Sequence, residues 1–242
     1  MNNSNNLLYI LRLFFDFLFP KICLICRDKI ILEKNNSPIS NFCCFRCFNS
    51  MKLAAPPNII INNLIASFGD SDLLALSNIA SLYSATNDDS NAIKLVYGLK
   101  YSGFRKIGIE FGQLLGKLLI DYNMTEYDYI APVPIHKARK RERGFNQSDF
   151  IANGITNIIN IPVKLDLLEK KFYTQTQTQL NSKQRKTNIK NSFMVNNKYD
   201  LTNKQILLVD DVLTTGATLN ECATVLLEAK AKLVDAATII KS

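Results

Sequence analysis

The stretch from 206 to 218 limits the possible folds of this chain more than any other part of its sequence. It opens with four apolar residues, Ile206 to Val209. An uninterrupted apolar run of this kind, rich in branched side chains, is typical of a strand buried on both faces of a parallel sheet. Asp210 and Asp211 come next and therefore fall at the carboxyl end of that strand. Ligands bind at this edge of open α/β sheets, so the sequence predicts an α/β fold with its binding site here.

A hydroxyl-rich turn follows the two aspartates, and apolar residues at helical spacing then predict a helix that begins at Ala217 or Thr218. The first N–H groups of this helix and the hydroxyls of the turn can surround a phosphate monoester, which the helix dipole also attracts. Two adjacent carboxylates would repel that phosphate unless they accept hydrogen bonds from hydroxyls or hold a cation. A ribose 5-phosphate with vicinal hydroxyls meets both demands, whereas the alternative is a core strand that ends in solvated aspartates before an ordinary helix cap. The residues expected to form this cradle are Asp210, Asp211, Thr214, Thr215, Gly216, Ala217 and Thr218.

Length and composition set the outer limits. The chain has 242 residues, 47% of them hydrophobic, which suits one α/β domain with a small appendage. The pair Pro56-Pro57 marks the expected boundary between an N-terminal unit, residues 1–57, and a main domain, residues 58–242. The formal net charge of +8 favours anionic partners. Phosphorylated small molecules, nucleic acid and an anionic membrane surface all fit this charge, so it does not choose among them.

Five of the six cysteines lie between residues 23 and 47. Four of them form two Cys-x-x-Cys pairs separated by residues 27–43, a spacing within the range of four-thiolate zinc sites. The predicted structural Zn²⁺ ligands are Cys23, Cys26, Cys44 and Cys47, in a small zinc-ribbon or treble-clef module. Cys43 is a neighbour that could replace Cys44 as a ligand. The alternatives are a cluster of reduced, buried thiols and, less expected without an export signal, a disulfide framework.

An apolar segment, residues 7–19, precedes the cysteines. Arg12 and Asp16 interrupt it, and no basic residue comes before it, so it matches neither a signal peptide nor a membrane-spanning helix. We expect a helix that packs on the cysteine module or on the main domain, with peripheral membrane attachment as the alternative. No transmembrane segment is therefore expected, and a cytoplasmic location is the corresponding prediction.

Beyond the proline pair, residues 59–86 contain short apolar runs without clear periodicity. We expect one or two strands with connecting loops there. Apolar spacing from Ile93 to Leu118 then predicts two amphipathic helices, broken at Ser102-Gly103.

Five cations lie between Lys137 and Arg143, directly after a predicted strand at residues 128–134. A helix is predicted over residues 150–158, so this basic loop also connects the carboxyl end of a strand to the start of a helix, where a second multiply charged anion can bind. In a parallel sheet the two loops can lie side by side and hold one ligand with phosphates at both ends, and the alternative is a solvated run of charge. The expected contacts are Val133, Pro134, His136, Lys137, Arg139 and Arg143. His136 is not expected to be a catalyst, because no carboxylate partner is identifiable.

The stretch 206–218 closely resembles the thirteen-residue motif of type I phosphoribosyltransferases, which bind 5-phosphoribosyl-1-pyrophosphate (PRPP). In that family the acidic pair holds the ribose 2- and 3-hydroxyls, and the Thr-Thr-Gly-x-Thr loop holds the 5-phosphate. A narrower resemblance, to the ComF family (also called ComFC or GntX-like proteins), spans nearly the whole chain. It depends on the cysteine pairs, the PRPP loop, Pro132-Val133-Pro134-Ile135-His136 with Arg139 and Arg143-Gly144-Phe145-Asn146-Gln147, Lys100-Tyr101-Ser102-Gly103, and Thr176-Gln177-Thr178-Gln179-Leu180 with Arg185 and Asn188.

The ComF resemblance implies a type I phosphoribosyltransferase-like domain, with a central parallel sheet flanked by helices, after the small N-terminal zinc module. It also implies PRPP as the ligand, Mg²⁺ that arrives with PRPP and, in naturally competent bacteria, a role in handling imported transforming DNA. Single-stranded DNA, a DNA-uptake helicase and other competence proteins are the partners that such a role implies.

The polar segment 173–192 has little apolar surface to hold it in place, which predicts a mobile loop. In related transferases such a loop closes over PRPP, so Lys183, Arg185 and Lys186 are expected to neutralise the departing pyrophosphate while closure excludes water. The alternative is an unstructured connector. The predicted catalytic residues are Asp210, Asp211, Arg143 and Arg185. Three functional classes stay open: an active phosphoribosyltransferase, a non-catalytic single-stranded-DNA-handling factor that uses the basic loops and the zinc module, and a non-catalytic PRPP sensor.

Overall fold

The computed structural model describes residues 20–30, 37–39, 41–85, 90–170 and 192–242. The chain divides into two compact units, Met1–Met51 and Lys52–Ser242. The predicted domain boundary after residue 57 stays a prediction. The apolar segment 7–19 and nearly all of the predicted mobile loop, including Arg185, lie outside the described residues.

In the described part of the first unit, a turn carries Cys23 and Cys26, while Cys44 is the N-cap of a short helix that contains Cys47. An isolated antiparallel bridge pairs Ile22 with Lys29 across this turn. The helix is α1 (Phe45–Asn49). The Leu24 N–H donates to the Phe42 carbonyl oxygen at 2.9 Å, so a backbone hydrogen bond joins the two segments.

The second unit alternates helices and strands. Its helices are α2 (Pro57–Phe68), α3 (Asn91–Tyr101), α4 (Arg105–Asp121), α5 (Lys137–Arg143), α6 (Gln147–Ile159) and α7 (Ala217–Glu228). Its strands are β1 (Ile79–Ser84), β2 (Tyr129–Pro132), β3 (Leu168–Lys170), β4 (Phe193–Val195), β5 (Gln205–Leu213) and β6 (Leu233–Lys241). A 3-10 turn, Ser71–Leu73, follows α2. The break between α3 and α4 falls at Ser102 to Phe104, which confirms the predicted pair of helices.

Four strands form a parallel sheet in the order β1-β6-β5-β2. In the pairing of β2 with β5, Ile130 lies opposite Leu207 and Pro132 lies opposite Val209. The carboxyl ends of these two strands therefore meet at one edge of the sheet, as the sequence predicts. The strands β3 and β4 form a separate antiparallel pair. The central parallel sheet flanked by helices confirms the predicted fold class.

The core of the second unit forms around β5. Its residues Ile206 to Val209 are fully buried, which explains the uninterrupted apolar run, since a strand covered on both faces has no solvent side to carry polar residues. Helix α7 contributes buried side chains from Leu219 to Leu226 to the same cluster. Each side chain buried in this way stabilises the fold by about 1.5–3 kcal/mol, so the strand that carries the acidic pair is rigidly held.

Helices α4 and α6 pack closely at two glycines. A Cβ added to Gly112 would collide with the carbonyl oxygen of Ile151 and would lie 2.7 Å from the Gly154 Cα. No side chain can occupy either position without moving a helix backbone. This close approach fixes the position of α6, whose first turn carries Ser148 at the edge of the sheet.

The prediction of strands and loops over residues 59–86 is wrong for its first part, where α2 forms. Pro57 occupies the first helical position, where its missing N–H costs nothing. Ile60, Ile61 and Leu64 then face the core at helical spacing. Gly69, with φ of 86°, ends the helix. Packing of this apolar face outweighs the strand preference of the isoleucines.

Two further details differ from the sequence predictions. The basic segment is not a loop, because residues 137–143 form helix α5. The apolar strand does not end before the acidic pair, because β5 continues through Asp210 and Asp211 to Leu213. The basic segment forms a helix because its backbone bonds within itself between caps at His136 and Gly144, whereas β5 is extended by its pairing with β6 as far as Leu213, opposite Lys241.

Candidate functional site

The two acidic residues of β5 are held by different partners. Asp210 is partly exposed, and its Oδ1 accepts hydrogen bonds from Ser148 Oγ at 3.1 Å and from the Asp211 N–H at 2.8 Å. Asp211 is 5% exposed, and its Oδ2 lies 3.0 Å from Lys100 Nζ. Within the described ranges this oxygen receives no directed hydrogen bond, so Lys100 holds it as an ion pair. One carboxylate is thus tied to the start of α6 and the other to the end of α3.

The charge of Asp210 depends on its surroundings. Burial raises the pKa of Asp210 to about 7, and the negative charge of Asp211 acts in the same direction. The Asp211 N–H, the Lys100 charge and the Ser148 hydroxyl oppose this rise in pKa. Asp210 therefore changes charge near neutral pH, whereas an aspartate with an unperturbed pKa does so near about pH 4. Any donor or cation that a ligand brings to this carboxylate favours its charged form.

The phosphate loop, residues 214–218, connects β5 to α7. Thr214 and Thr215 are exposed, and the Thr215 Oγ1 accepts the Ala217 N–H at 3.4 Å. Gly216 has a φ of 76°, and a Cβ there would lie 3.0 Å from Leu64 Cδ2. The positive φ favours glycine at this position, and a side chain there would also displace the end of Leu64. Helix α7 begins at Ala217, as predicted, so its first N–H groups face the loop.

A second segment lies beside this loop, after β2. The Val133 N–H donates to the Val209 carbonyl oxygen at 2.9 Å, which extends the pairing of β2 with β5. Asn146, the N-cap of α6, donates from Nδ2 to the Val133 carbonyl oxygen at 3.0 Å. His136 is the N-cap of α5, and its Nδ1 accepts the Ala138 N–H at 3.2 Å. This capping bond accounts for His136 without a catalytic role.

The five cations of α5 are spread around a helix. Lys137, Arg139 and two further cations are exposed. Arg143, at the other end of α5, donates to Gln147 Oε1 at 3.1 Å, and its guanidinium lies 5.1 Å from the centroid of the Tyr101 ring. The helix therefore presents its charges in several directions, and Arg143 is turned to the end of α3.

Lys170, the last residue of β3, brings an additional cation to this region. Burial lowers the pKa of Lys170, and its charge interacts with those of Arg139 and Asp210. Its Nζ also lies 5.0 Å from the centroid of the Phe193 ring in β4. The antiparallel pair of strands thus carries a partly buried cation towards the acidic pair.

Three contacts of this site were missed from the sequence. The position of Ser148 could have been predicted. Asn146 is a good helix cap, so Ser148, two residues later, falls in the first turn of α6. Lys100 was part of a motif used for the family resemblance, but nothing in its spacing indicated Asp211 as its partner. Lys170 carried no signal, since its position depends on a pairing with β4.

The cysteine pairs of the first unit converge. The Sγ atoms of Cys23, Cys26, Cys44 and Cys47 all lie within 4.8 Å of one another. The Cys26 and Cys44 Sγ atoms are 3.8 Å apart, which matches the roughly 3.8 Å expected between ligands of a tetrahedral site with Zn–S bonds of about 2.3 Å. Four thiols in this arrangement fit a zinc ion and can form a small zinc module.

The other cysteine of this unit, Cys43, lies outside the cluster. Its Sγ donates to the Cys44 carbonyl oxygen at 3.4 Å, and burial raises the pKa of the Cys43 thiol. Burial also disfavours the Cys23 thiolate, but N–H donors from Cys44, Cys26 and Ile25 outweigh it and lower the Cys23 pKa to about 6. Of the two neighbours, Cys44 is therefore the candidate ligand.

Several known proteins resemble this chain. A family model described as "Phosphoribosyl transferase domain" matches residues 143–242. Competence protein F of Haemophilus influenzae is 37% identical over 98 residues, which cover 40% of this chain and 43% of that protein. DNA utilization protein YhgH of Escherichia coli is 31% identical over 137 residues, 55% of this chain and 60% of that protein. Competence protein ComFC of Streptococcus pneumoniae is 25% identical over 229 residues, 90% of this chain and 99% of that protein.

Together these similarities support a ComF-family, type I phosphoribosyltransferase-like protein. The matched region of this ComF-family protein includes the acidic pair and the phosphate loop. The chain spans about half the length of the Haemophilus and Escherichia relatives that it matches. None of the helices in the described ranges has the length and apolar character that a bilayer crossing needs.

Proposed function

We propose that this ComF-family protein binds PRPP with Mg²⁺ at the carboxyl ends of β2 and β5 and transfers its phosphoribosyl group to a nitrogen nucleophile. One observation carries the proposal: Asp210 and Asp211 lie directly before the phosphate loop, on a strand paired with β2. Carboxylates for ribose hydroxyls, loop donors for the 5-phosphate and cations beyond β2 are therefore close together.

Each part of PRPP has a proposed partner. The phosphate loop, residues 214–218, binds the 5-phosphate, and the carboxylates of Asp210 and Asp211 accept hydrogen bonds from the ribose hydroxyls. Lys137 and Arg139 attract the pyrophosphate together with the backbone at Val133 and Pro134. The carboxylate, hydroxyl and phosphate oxygens suit Mg²⁺, which when bound neutralises part of the pyrophosphate charge.

Arg143 and Arg185 are proposed to neutralise the negative charge that develops on pyrophosphate as it departs. Arg143 now contacts Tyr101 and Gln147, so its proposed approach to pyrophosphate needs a change of side-chain rotamer. Lys100 and Ser148 keep the acidic pair in place during the reaction. The anomeric carbon gains positive character as the bond to pyrophosphate lengthens, and preorganised charges of this kind lower the barrier.

The names of the relatives suggest a biological setting. Competence and DNA utilization appear in those names, and we infer that this chain takes part in handling imported DNA, in the cytoplasm and together with a DNA-uptake helicase or other competence proteins. The four-cysteine cluster is proposed to bind a structural Zn²⁺ that organises the first unit.

PRPP binding measured by calorimetry with and without Mg²⁺ tests the central proposal. Asp210→Asn and Asp211→Asn keep the shape of the side chains but remove the charge, so each is expected to weaken binding about tenfold or more, since a hydrogen bond to a charged group is worth about 1.5–3 kcal/mol. Asp121→Asn, at the exposed end of α4, is the matched control and should bind as the wild type does. Equal affinities for all four proteins would remove the acidic pair from the site.

A second candidate function is favoured by one surface. Tyr97 and Tyr101 are 44% and 69% exposed, and their ring centroids are 6.0 Å apart. Arg143 of the basic helix α5 lies over Tyr101. Exposed aromatic rings beside cations are how proteins bind single strands without reading their sequence. We name Tyr97, Tyr101 and the cations of α5 the aromatic-basic surface, and propose it as a site for single-stranded DNA.

A further inference from the structure

A cavity of about 400 Å³ lies at the edge of the parallel sheet opposite the acidic pair. It is lined by Asn78, which precedes β1, by Gln205, the first residue of β5, and by Leu233, the first residue of β6. The amino ends of the strands therefore form its floor, whereas the phosphate loop follows the carboxyl end of β5. Small-molecule sites have volumes of about 300–1,000 Å³, so the cavity is large enough for a ligand of its own.

The walls of this cavity combine apolar surface with negative charge. Tyr122 and Met124, between α4 and β2, and the proline pair before α2 supply apolar groups. Glu126 and Asp235 supply two carboxylates. The described lining residues include no lysine, arginine or histidine. In a chain with a net charge of +8, this region thus differs from the basic helix α5 and favours a cationic ligand.

Asp235 is the buried carboxylate of the cavity, with an exposed fraction of 5%. Its Oδ1 accepts the Asn78 N–H at 2.7 Å, and its Oδ2 accepts the Tyr127 hydroxyl at 2.7 Å. A charged carboxylate can accept about four hydrogen bonds, so each oxygen keeps the capacity for a further donor. No cation of the described residues forms an ion pair with Asp235. A buried carboxylate without a cation is costly, and a cation that enters beside it relieves this cost.

Three further polar side chains line the cavity, those of Asn78, Gln205 and Glu126. Within the described ranges, none of these three side chains has a hydrogen bond or an ion pair. Asn78 and Gln205 are only partly exposed, so their amide groups are removed from some of the water that would otherwise satisfy them. Their amide oxygens and the Glu126 carboxylate are therefore free to accept hydrogen bonds from a ligand.

We propose that this cavity binds a guanidinium group carried on a short aliphatic chain. A guanidinium has five N–H donors and no acceptor, and two of its donors are parallel, which matches the two oxygens of the Asp235 carboxylate. The other donors suit the amide oxygens of Asn78 and Gln205. Tyr122 and Leu233 provide apolar surface for the aliphatic chain. This site is independent of PRPP binding, because the two sites lie at opposite edges of the sheet.

Calorimetry with the full-length chain tests the proposal with three probes. Agmatine carries a guanidinium and an ammonium group, cadaverine carries two ammonium groups, and N-acetyl-arginine amide imitates an arginine residue of a protein. Agmatine is expected to bind saturably and about tenfold or more tightly than cadaverine, because an ammonium group lacks the parallel pair of donors. Tighter binding of agmatine than of N-acetyl-arginine amide assigns the site to a small guanidino compound, and the reverse order assigns it to an arginine side chain of a partner. Either order supports the guanidinium site.

Two variants locate the site in this cavity. Asp235→Asn keeps the shape of the side chain but removes its charge, and is expected to weaken agmatine binding about tenfold or more. Asn58→Trp fills the cavity from an exposed position on α2 and should abolish binding. Asn62→Trp is the matched control, since Asn62 is exposed on the same helix and outside the cavity; it should bind agmatine as the wild type does.

The outcomes that overturn the proposal are equally distinct. A wild-type chain that binds neither agmatine nor N-acetyl-arginine amide has no guanidinium site, and equal affinities for agmatine and cadaverine refute the preference for a guanidinium. Equal agmatine binding by the wild type and Asn58→Trp would place the ligand outside this cavity. Asp235 also bonds to Tyr127, so circular dichroism of each variant is compared with that of the wild type, and Asn58→Trp decides the result if Asp235→Asn does not fold.

Discussion

Lys100 places a positive charge directly against the acidic pair. Its side chain is largely buried, and its Nζ lies 3.0 Å from Asp211 Oδ2. The same charge lowers the pKa of Asp210, in opposition to burial and to the charge of Asp211. Loss of one partner from a buried ion pair leaves the other charge uncompensated. At the scale of single residues, Lys100 thus favours the charged form of Asp210.

Lys100→Met is therefore expected to raise the pKa of Asp210 further and to weaken PRPP binding. Asp210 takes up a proton as the pH falls through its pKa, so binding that requires the charged carboxylate is lost on the acid side. The variant should bind PRPP about tenfold more weakly than the wild type at neutral pH, since one unit of pKa changes the protonation ratio tenfold. The deficit should shrink at about pH 8.5. Calorimetry from about pH 6 to 9 measures both profiles.

Two controls separate this effect from a general change of the helix. Lys94→Met removes an exposed cation from the same helix, α3, and should keep the wild-type profile. Lys100→Arg keeps the charge and should restore most of the affinity. A Lys100→Met profile that coincides with that of the wild type would show that the ion pair does not tune the site.

At the scale of elements, the helical conformation of α5 determines the directions in which the cations of the basic segment point. A loop could have folded all its cations around one anion, but a helix points successive side chains in different directions. The caps of α5 fix this arrangement, with His136 at its start and Gly144, at a φ of 77°, after its end. Its cations therefore divide between the PRPP region and the aromatic-basic surface that Tyr97 and Tyr101 complete.

Single-stranded DNA binding by the aromatic-basic surface can be measured by fluorescence anisotropy over a range of salt concentrations. Tyr101→Ala should raise the dissociation constant about tenfold with little change in its salt dependence, because stacking on one base contributes about 1–3 kcal/mol. Arg141→Ala should instead lower the slope of the salt dependence by about one, since it removes one phosphate contact.

Tyr122→Ala provides the matched control for this surface, because Tyr122 is an exposed tyrosine at the opposite end of α4 from Arg105. Its DNA affinity should equal that of the wild type. If Tyr101→Ala and Tyr122→Ala bind DNA equally well, the aromatic-basic surface is not the DNA site.

At the scale of the whole molecule, the two units are stabilised by different means. The second unit has a continuous apolar core around β5. The first unit is Met1–Met51, and small folds of this size usually need a metal or disulfides in addition to their core. The cluster of Cys23, Cys26, Cys44 and Cys47 meets that need if it binds zinc. Folding of the first unit and metal binding are then one process.

Zinc content measured by elemental analysis of the purified chain is expected to be about one ion per molecule. Cys44→Ser should lower this content strongly, because a ligand is lost, whereas Cys43→Ser should retain it, since Cys43 lies outside the cluster. Chelation should unfold the first unit and leave PRPP binding by the second unit intact. Equal zinc content in the two serine variants would contradict the assignment of Cys44.

Local patterns in the sequence were sufficient for much of the site. The buried strand before Asp210, the turn at Gly216 and the helix that begins at Ala217 all follow from interactions between near neighbours in the chain. The two cysteine pairs could be recognised for the same reason, because each pair lies within one turn. The helix at residues 57–68 could not, since its isoleucines favour strands until α2 packs on the core.

By itself, the sequence determined the buried strand of the parallel-sheet fold class, the phosphate loop and the two cysteine pairs, because each is encoded by residues a few positions apart. Only the tertiary structure decided that Lys100 pairs with Asp211, that Ser148 donates to Asp210 and that a cavity lies beside Asp235. These contacts join segments far apart in the chain, so they depend on the strand order and on the close packing of α4 against α6, neither of which a local pattern specifies.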